Sequence, residues 1–383
     1  MITQNMRSEH QHHVSSSFLF HPFEIAICGY SNSGKTTLIS RLINKLSPRY
    51  QIAYLKHDVH RFEMDKEGKD TFKVWRAGAS DVAISDQTHT ALIHKGEPRF
   101  FEKKSQFLDS DFLILEGYKN TDLKKIIVVD KDKKILEAIE KQEINNIAAY
   151  VGQEAELSGD RPYFHRDDID GICGFLEAYF QDLVSQAPLY GLVLSGGLST
   201  RMKQDKALLT YHDKPQAEVS YHLLSEILDK VFISSREGQW PRNHFSHLPQ
   251  IHDRFQGFGP MGGILSAMTA HPGAAWFVVA CDLPNLDYRS LKAIIENRNP
   301  FKMATCFKNA HQDWPEPLCA IYEPKIKMRL FETLGAGFLC PRKTLINSPI
   351  VLMDQIEKSS LDNINSLVEY ETTKLKIEKR KNA

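Results

Sequence analysis

FEIAICGYSNSGKTTLIS, residues 23–40, decides the fold of the first half of the chain. A short β-rich run leads into a glycine-bearing loop, and the loop leads directly into the amphipathic stretch ISRLINKL. Gly29, Gly34, Lys35 and Thr36 satisfy G-x-x-x-x-G-K-[ST] in the strand–loop–helix setting that gives this motif its meaning. The glycines let backbone N–H groups converge on phosphate oxygens, and the helix N-terminus adds its positive end. Lys35 then meets the β- and γ-phosphates, Thr36 ligates Mg²⁺, and Ser33 and Thr37 complete the cradle. Such a loop binds a nucleoside triphosphate.

Working outward, the same half alternates β-rich runs with helical ones. FEIAICGY, QIAYLKHD, DVAISDQ, TALIHK, DFLILEGYK, KKIIVVD and NNIAAYVG read as buried strands, with KDTFKVWRAG among the helices between them. Alternation of this kind argues for an α/β fold with a mostly parallel sheet covered by helices. DDIDGICGFLEAYFQDLV reads as a closing helix and SQAPLY as a short linker. The cycle then restarts with LYGLVLSGG, KVFISS, AAWFVVACDLP, KMATCFK and PLCAIYE as strands. The helices between these are VSYHLLSEIL, GGILSAMTA, YRSLKAIIENR and KIKMRLFETL. The expected organisation is a disordered tail over residues 1–21, a P-loop domain over 22–185 and a second α/β domain over 189–383. The charged end, VEYETTKLKIEKRKNA, reads as a fraying helix.

The second half carries its own phosphate cradle, LVLSGGLSTRMKQDKALL, residues 192–209. Leu194 and Ser195 end an apolar run, Gly196 and Gly197 permit close backbone approach, and Arg201 and Lys206 follow with charge. A P-loop grips β- and γ-phosphates. A loop of this second kind leaves the α-phosphorus open to a nucleophile and stabilises departing pyrophosphate. Two cradles in one chain therefore expose two different phosphorus atoms.

Three carboxylates stand where such sites need them. Glu116 ends the apolar run DFLILE, within reach of Mg²⁺ or water at a γ-phosphate, with capping of a loop as the ordinary alternative. Asp282 ends FVVACD before Pro284, and the carboxyl end of a strand in an open α/β sheet faces the ligand crevice. There it would bind Mg²⁺ bridging phosphate oxygens, with N-capping as the ordinary alternative. Asp253 precedes GFGPMGG, whose glycines suit a wall against a flat base. His57 and His60 read as surface hydrogen-bonders, and Asn363 and Asn365 as partner contacts or helix caps.

Bulk properties narrow the class. The 383 residues suffice for two cores, 42% are hydrophobic, and 48 basic residues balance 48 acidic ones. Zero net charge gives no global field for nucleic acid or an anionic membrane. The six cysteines are scattered, which fits free thiols in a reducing compartment rather than disulfides or zinc. The N-terminal stretch is polar and His-rich, with no apolar core of a signal peptide, and no run is long enough to span a bilayer. The expected location is the cytoplasm.

The P-loop followed by K-H-x-x-H, G-K-D, A-G-A and E-G-Y-K, in that order, resembles the molybdopterin-guanine dinucleotide biosynthesis adaptor family. The resemblance covers roughly residues 23–184, including PYFHRDDIDGICGFL. It implies GTP binding through Gly34, Lys35 and Thr36, weak or absent hydrolysis, and association with the guanylyltransferase of the same pathway. No N-K-x-D-like guanine reader is present. L-x-G-G-x-S-x-R-M-x-x-D-K-A-L is similar to the molybdenum cofactor guanylyltransferase family, with His252-Asp253, GFGPMGGI, FVVACDLP, EPLCAIY and NINS following in order. That resemblance implies a Rossmann-like nucleotidyltransferase joining GTP to molybdopterin, with or without molybdenum, and Asp253 as a nucleotide contact. Lys203 and Arg236 depart from the family's usual glycine and asparagine, and Ser195 from its alanine. Cytidylyl transfer and sugar-phosphate nucleotidyl transfer stand as alternatives for this half, a small-molecule kinase or regulatory GTPase for the other. Molybdenum insertion proteins, molybdoenzymes and a second copy of the chain are the partners left open.

Overall fold

The computed structural model describes residues 18–57, 66–153, 160–197, 205–240, 244–310 and 312–381. The chain divides into two compact units, Met1–Phe180 and Gln181–Ala383. In the first, the elements run β1 (Glu24–Cys28), α1 (Lys35–Leu46), β2 (Ile52–Lys56), α2 (Asp70–Arg76), β3 (Asp81–Ser85), β4 (Thr90–His94) and α3 (Phe100–Ser105). They continue with β5 (Phe112–Glu116), β6 (Lys125–Val128), α4 (Lys134–Glu140), β7 (Ile147–Gly152), β8 (Tyr163–His165) and α5 (Ile169–Ser185), the last crossing the division. Six strands form one sheet in the order β2-β5-β1-β6-β7-β8, every pair parallel. β1 and β5 sit centrally and are buried on both faces, as their near-continuous apolar composition requires.

Two expectations are corrected here. DVAISDQ and TALIHK are strands, but not buried ones: β3 and β4 pair antiparallel with each other in a separate two-stranded sheet. Only Val82 is buried there, while Ile84 and Leu92 are exposed; among the described residues the main element packed on the hairpin is the short helix α2. The tail assignment also extends too far. Phe20 belongs to the core, and His21 is fully buried. The buried Glu24 carboxylate holds this segment by accepting from the backbone N–H groups of Leu19, Phe20 and His21. Residues 1–17 lie outside the described residues.

The second unit runs β9 (Leu189–Leu194), α6 (Gln216–Ser225), β10 (Val231–Ser235), β11 (Gln250–His252), α7 (Pro260–Ala270), β12 (Ala275–Ala280) and α8 (Tyr288–Glu296). It continues with β13 (Ala304–Lys308), β14 (Pro315–Tyr322), α9 (Ile326–Gly335), α10 (Pro341–Ile346), β15 (Ile350–Met353) and α11 (Leu367–Lys381). The seven-stranded sheet has the order β11-β10-β9-β12-β14-β13-β15, with β14 alone antiparallel to its neighbours. No helix among the described residues is long and apolar enough to cross a membrane. Five cysteines are buried free thiols and Cys340 is exposed.

The terminal helix is not the fraying element its charge suggests. Tyr370, Thr373 and Ile377 lie on one face at helical spacing, and Tyr370 and Ile377 pack with Leu209, Tyr211 and Ile364. Two of the glycines of GPMGG do a different job from the one expected. Gly262 and Gly263 face the protein, where a Cβ on Gly262 would strike the Phe255 carbonyl and one on Gly263 would lie 2.5 Å from Ser234 Oγ and 2.7 Å from Leu194 Cδ2, whereas among the described residues nothing lies within 4 Å of a Cβ on Gly259. Their absence of side chain lets α7 settle against β9 and β10 directly beneath the second cradle. Gly263→Ala is expected to destabilise this unit by about 1–3 kcal/mol. A lower midpoint for its thermal unfolding, with the first unit's transition unmoved, is the outcome that checks it.

Candidate functional sites

In the first unit, parallel pairing sets Ile27 of β1 beside Glu116 of β5, so the P-loop and the carboxylate leave the sheet at the same end. The Gly117 N–H donates to the Ile27 carbonyl, and the Cys28 thiol donates to the Gly117 carbonyl at 2.7 Å. Burial pushes that thiol up to about 11, so it remains a proton donor at neutral pH. Gly29 must be glycine, because a Cβ there would meet Ser33 Oγ at 2.6 Å and the Val128 carbonyl at 2.8 Å. Gly34 takes the left-handed conformation, φ 89°, that starts α1.

Thr36 Oγ1 lies 3.0 Å from both Glu116 carboxylate oxygens. Tyr54 donates its hydroxyl to the same carboxylate at 2.7 Å, and Lys56 approaches to 3.9 Å. Glu116 is 5% exposed, so these donors offset its desolvation. Hydroxyl and carboxylate together make a hard oxygen pair of the kind a magnesium ion takes alongside phosphate oxygens. Lys35 donates to the Tyr30 carbonyl at 2.7 Å, and burial lowers its pKa. Ser33 Oγ is buried without a hydrogen-bond partner, while Thr37 is exposed on the first turn of α1. His57 donates its backbone N–H to Glu116, and its ring lies 5.2 Å from that of Tyr118. His60 is outside the described residues.

The second unit repeats the arrangement with different chemistry. β9 pairs parallel with β12, Leu194 beside Ala280, and the Cys281 N–H donates to the Leu194 carbonyl. The SGG turn and Asp282 therefore leave the sheet together. Lys206 Nζ lies 2.9 Å from Asp282 Oδ2 and 2.8 Å from Asn365 Oδ1. Asp282 Oδ1 is buried and has no hydrogen-bond partner in the structure, an unsatisfied anionic oxygen. That atom fits a cation ligand. Asp282 does not cap the following helix; Asp287 does, accepting from the Ser290 N–H.

Asp253 lies beneath the turn. Its Oδ1 accepts from Ser234 Oγ at 2.6 Å, and a Cβ on Gly196 would run into its Oδ2. Burial holds this carboxyl above the usual carboxylate range, against the lowering effects of Ser234 and Arg236. Ser195 is buried and donates to the Ser234 carbonyl, whereas among the described residues nothing lies within 4 Å of a Cβ on Gly197. Asn365 is no helix cap: Ser366 and Glu369 perform that task, Glu369 accepting from the N–H groups of Asn365 and Ser366. Arg201 and Lys203 fall outside the described residues.

Sequence reasoning missed the support for Lys206. Asp205 accepts from the Ala207 N–H, from Trp240 Nε1 at 2.8 Å and from Gln239 Nε2 at 2.9 Å. Gln239 Nε2 also donates to the Ser195 carbonyl at 2.8 Å, tying the two ends of the cradle to each other. Gln239 and Trp240 sit more than thirty residues from the loop, in EGQW, which carries no motif. Among the described residues no group of three or more His, Cys, Asp or Glu side chains gathers to hold a metal.

Comparison with known proteins places both loops in families. Residues 24–153 match the family "Molybdopterin guanine dinucleotide synthesis protein B", and residues 191–338 match the "MobA-like NTP transferase domain". The chain is 38% identical over 187 residues to a "Molybdenum cofactor biosynthesis bifunctional protein" of Synechocystis, covering 49% of this chain and 54% of that protein. The match thus spans about half the length of that relative. A "Probable molybdopterin-guanine dinucleotide biosynthesis adapter protein" of Bacillus subtilis is 34% identical over 39% of this chain and 90% of its own length. A "Probable molybdenum cofactor guanylyltransferase" of Flavobacterium johnsoniae is 28% identical over 45% of this chain and 90% of its own. With the P-loop, the Thr36–Glu116 pair and the Lys206–Asp282 pair in hand, the chain belongs through its N-terminal unit to the molybdopterin guanine dinucleotide synthesis protein B family and carries a MobA-like NTP transferase domain in its C-terminal unit.

Proposed function

We propose that the C-terminal unit transfers a guanylyl group from GTP to the terminal phosphate of molybdopterin, with or without molybdenum, forming the guanine dinucleotide and releasing pyrophosphate. The N-terminal unit, on this reading, is a GTP-binding adaptor of the same cytoplasmic pathway. One observation carries the proposal: Lys206 meets Asp282 at the mouth of the SGG turn, with Asp282 Oδ1 left unsatisfied. The names of the Synechocystis and Flavobacterium relatives support the choice of GTP and of the pterin.

The chemistry asks little of acid–base catalysis. The attacking oxygen belongs to a phosphate monoester already ionised at neutral pH. Its bond to the α-phosphorus forms as the bond from that phosphorus to the β-phosphate bridge breaks, and pyrophosphate leaves. The protein's task is positioning and neutralisation of charge. Lys206, only 20% exposed, would move its ammonium from the carboxylate to the phosphate oxygens, with Arg201 adding charge from the loop. Asp253 would hold the nucleotide from beneath Gly196. Magnesium, bound through Asp282, would supply charge neutralisation across the phosphates. Asn365, held by the capped start of α11, orients Lys206.

Asp282→Ala is expected to lower dinucleotide synthesis by about 100- to 1000-fold while leaving the circular dichroism unchanged. Full activity in that variant would remove Asp282 from the site. Chelation of divalent ions should stop pyrophosphate release, and added Mg²⁺ should restore it. Parallel assays with GTP and CTP, each with molybdopterin or a sugar 1-phosphate, test the substrates: product from GTP and molybdopterin alone is expected. A nucleotide sugar or a cytidine product would overturn the assignment.

A further inference from the structure

The turn after β8 carries a cation that the nucleotide chemistry so far leaves unused. In His165-Arg166-Asp167-Asp168, three residues have local tasks. The Asp167 N–H donates to His165 Nδ1, Asp167 pairs with Arg41 at 2.7 Å, and Asp168 accepts from the Gly171 N–H at the start of α5. Arg166 alone reaches the P-loop. Its Nη2 donates to the Ser33 carbonyl at 3.1 Å, and a Cβ on Gly34 would lie 3.6 Å from Nη1. Its Nε is buried without a hydrogen-bond partner.

The turn is fastened. Arg41 and Lys45 on α1, and Arg49 just past its end, pair with Asp167, Asp170 and Glu177 at 2.7, 2.7 and 2.8 Å. Each exposed pair is individually weak, but the three act along one seam and fix the turn against the helix that the P-loop begins.

Sheet order tells which end of a nucleotide Arg166 flanks. Glu116 comes from β5, on one side of β1, and with Thr36 it marks the metal and terminal-phosphate end of the loop. Arg166 follows β8, three strands away on the other side of β1. It therefore reaches the loop from the flank opposite the metal pair; with the terminal phosphates at that pair, this flank would face the nucleoside end. A planar guanidinium anchored through one nitrogen presents a flat cationic face, which suits the π-system of a base.

We propose that Arg166 is a nucleoside-end contact of the N-terminal site, held on the Ser33 carbonyl so that its guanidinium lies against the base of the bound nucleotide. The proposal rests on the first loop being a nucleotide site. It assigns to a single arginine the base-side contact that the missing N-K-x-D sequence would otherwise supply.

The test uses the full chain, titrated with GTP and, separately, with inorganic tripolyphosphate. Binding that disappears in Lys35→Ala defines the N-terminal site; if Lys35→Ala removes none, the nucleotide-site reading itself fails, independently of Arg166. In Arg166→Ala, GTP at that site should bind about tenfold more weakly while tripolyphosphate stays within about twofold. Arg166→Lys, which keeps the charge and a donor for the Ser33 carbonyl but loses the flat face, should show the same split with an unchanged thermal midpoint. Equal weakening of both ligands in the lysine variant, or GTP binding unchanged in both variants, would overturn the proposal.

Discussion

Parallel pairing between two neighbouring strands is the constraint from which both sites follow. Strands that run the same way end at the same edge of the sheet, so whatever follows one lies beside whatever follows the other. β1 leads into the P-loop and β5 ends in Glu116; β9 leads into the SGG turn, and β12 ends at Ala280 with Asp282 in the turn that follows. In each case a backbone hydrogen bond continues the ladder one step past the paired residues, from Gly117 to Ile27 and from Cys281 to Leu194. The carboxylate is thus placed by sheet geometry, before any side-chain contact is made. A one-residue slip would turn it to the opposite face.

What each carboxylate meets separates the two chemistries. Glu116 is met by hydroxyls, those of Thr36 and Tyr54, and burial and the Glu116 hydrogen bond together raise the Tyr54 pKa, keeping the phenol protonated. Asp282 is met by an ammonium, that of Lys206, and keeps one oxygen without a partner. The first arrangement is a closed, multiply satisfied acceptor. The second sets an ammonium beside a carboxylate whose other oxygen is buried without a hydrogen-bond partner.

Long-range ties hold these parts at working distance. Gln239 and Trp240 fix Asp205, Gln239 also holds Ser195, and the capped start of α11 presents Asn365 to Lys206. Close packing does the same beneath the turn, where Gly196, Gly263, Ser234 and Asp253 leave no room for a further methyl group. The charged terminal helix belongs to this support through Tyr370 and Ile377, which is why its composition misrepresents its role.

The P-loop and the SGG turn were legible in the sequence because each is one contiguous stretch. G-x-x-x-x-G-K-T and the SGG turn work through contiguous backbone, and strand-end carboxylates announce themselves by closing an apolar run. The order of most strands and helices was legible for a similar reason, since periodicity reports burial within a single element. Neighbours in space are another matter. The exposure of β3 and β4, the packing of Phe20, the inward glycines of α7 and the Asp205–Gln239–Trp240 network each depend on residues distant along the chain. The amino-acid sequence by itself determined which glycine-bearing loops and which strand-end carboxylates this protein carries. Only the tertiary structure decided that Lys206 meets Asp282 and that Arg166 meets the P-loop, because parallel registers and helix seams, rather than sequence spacing, set those distances.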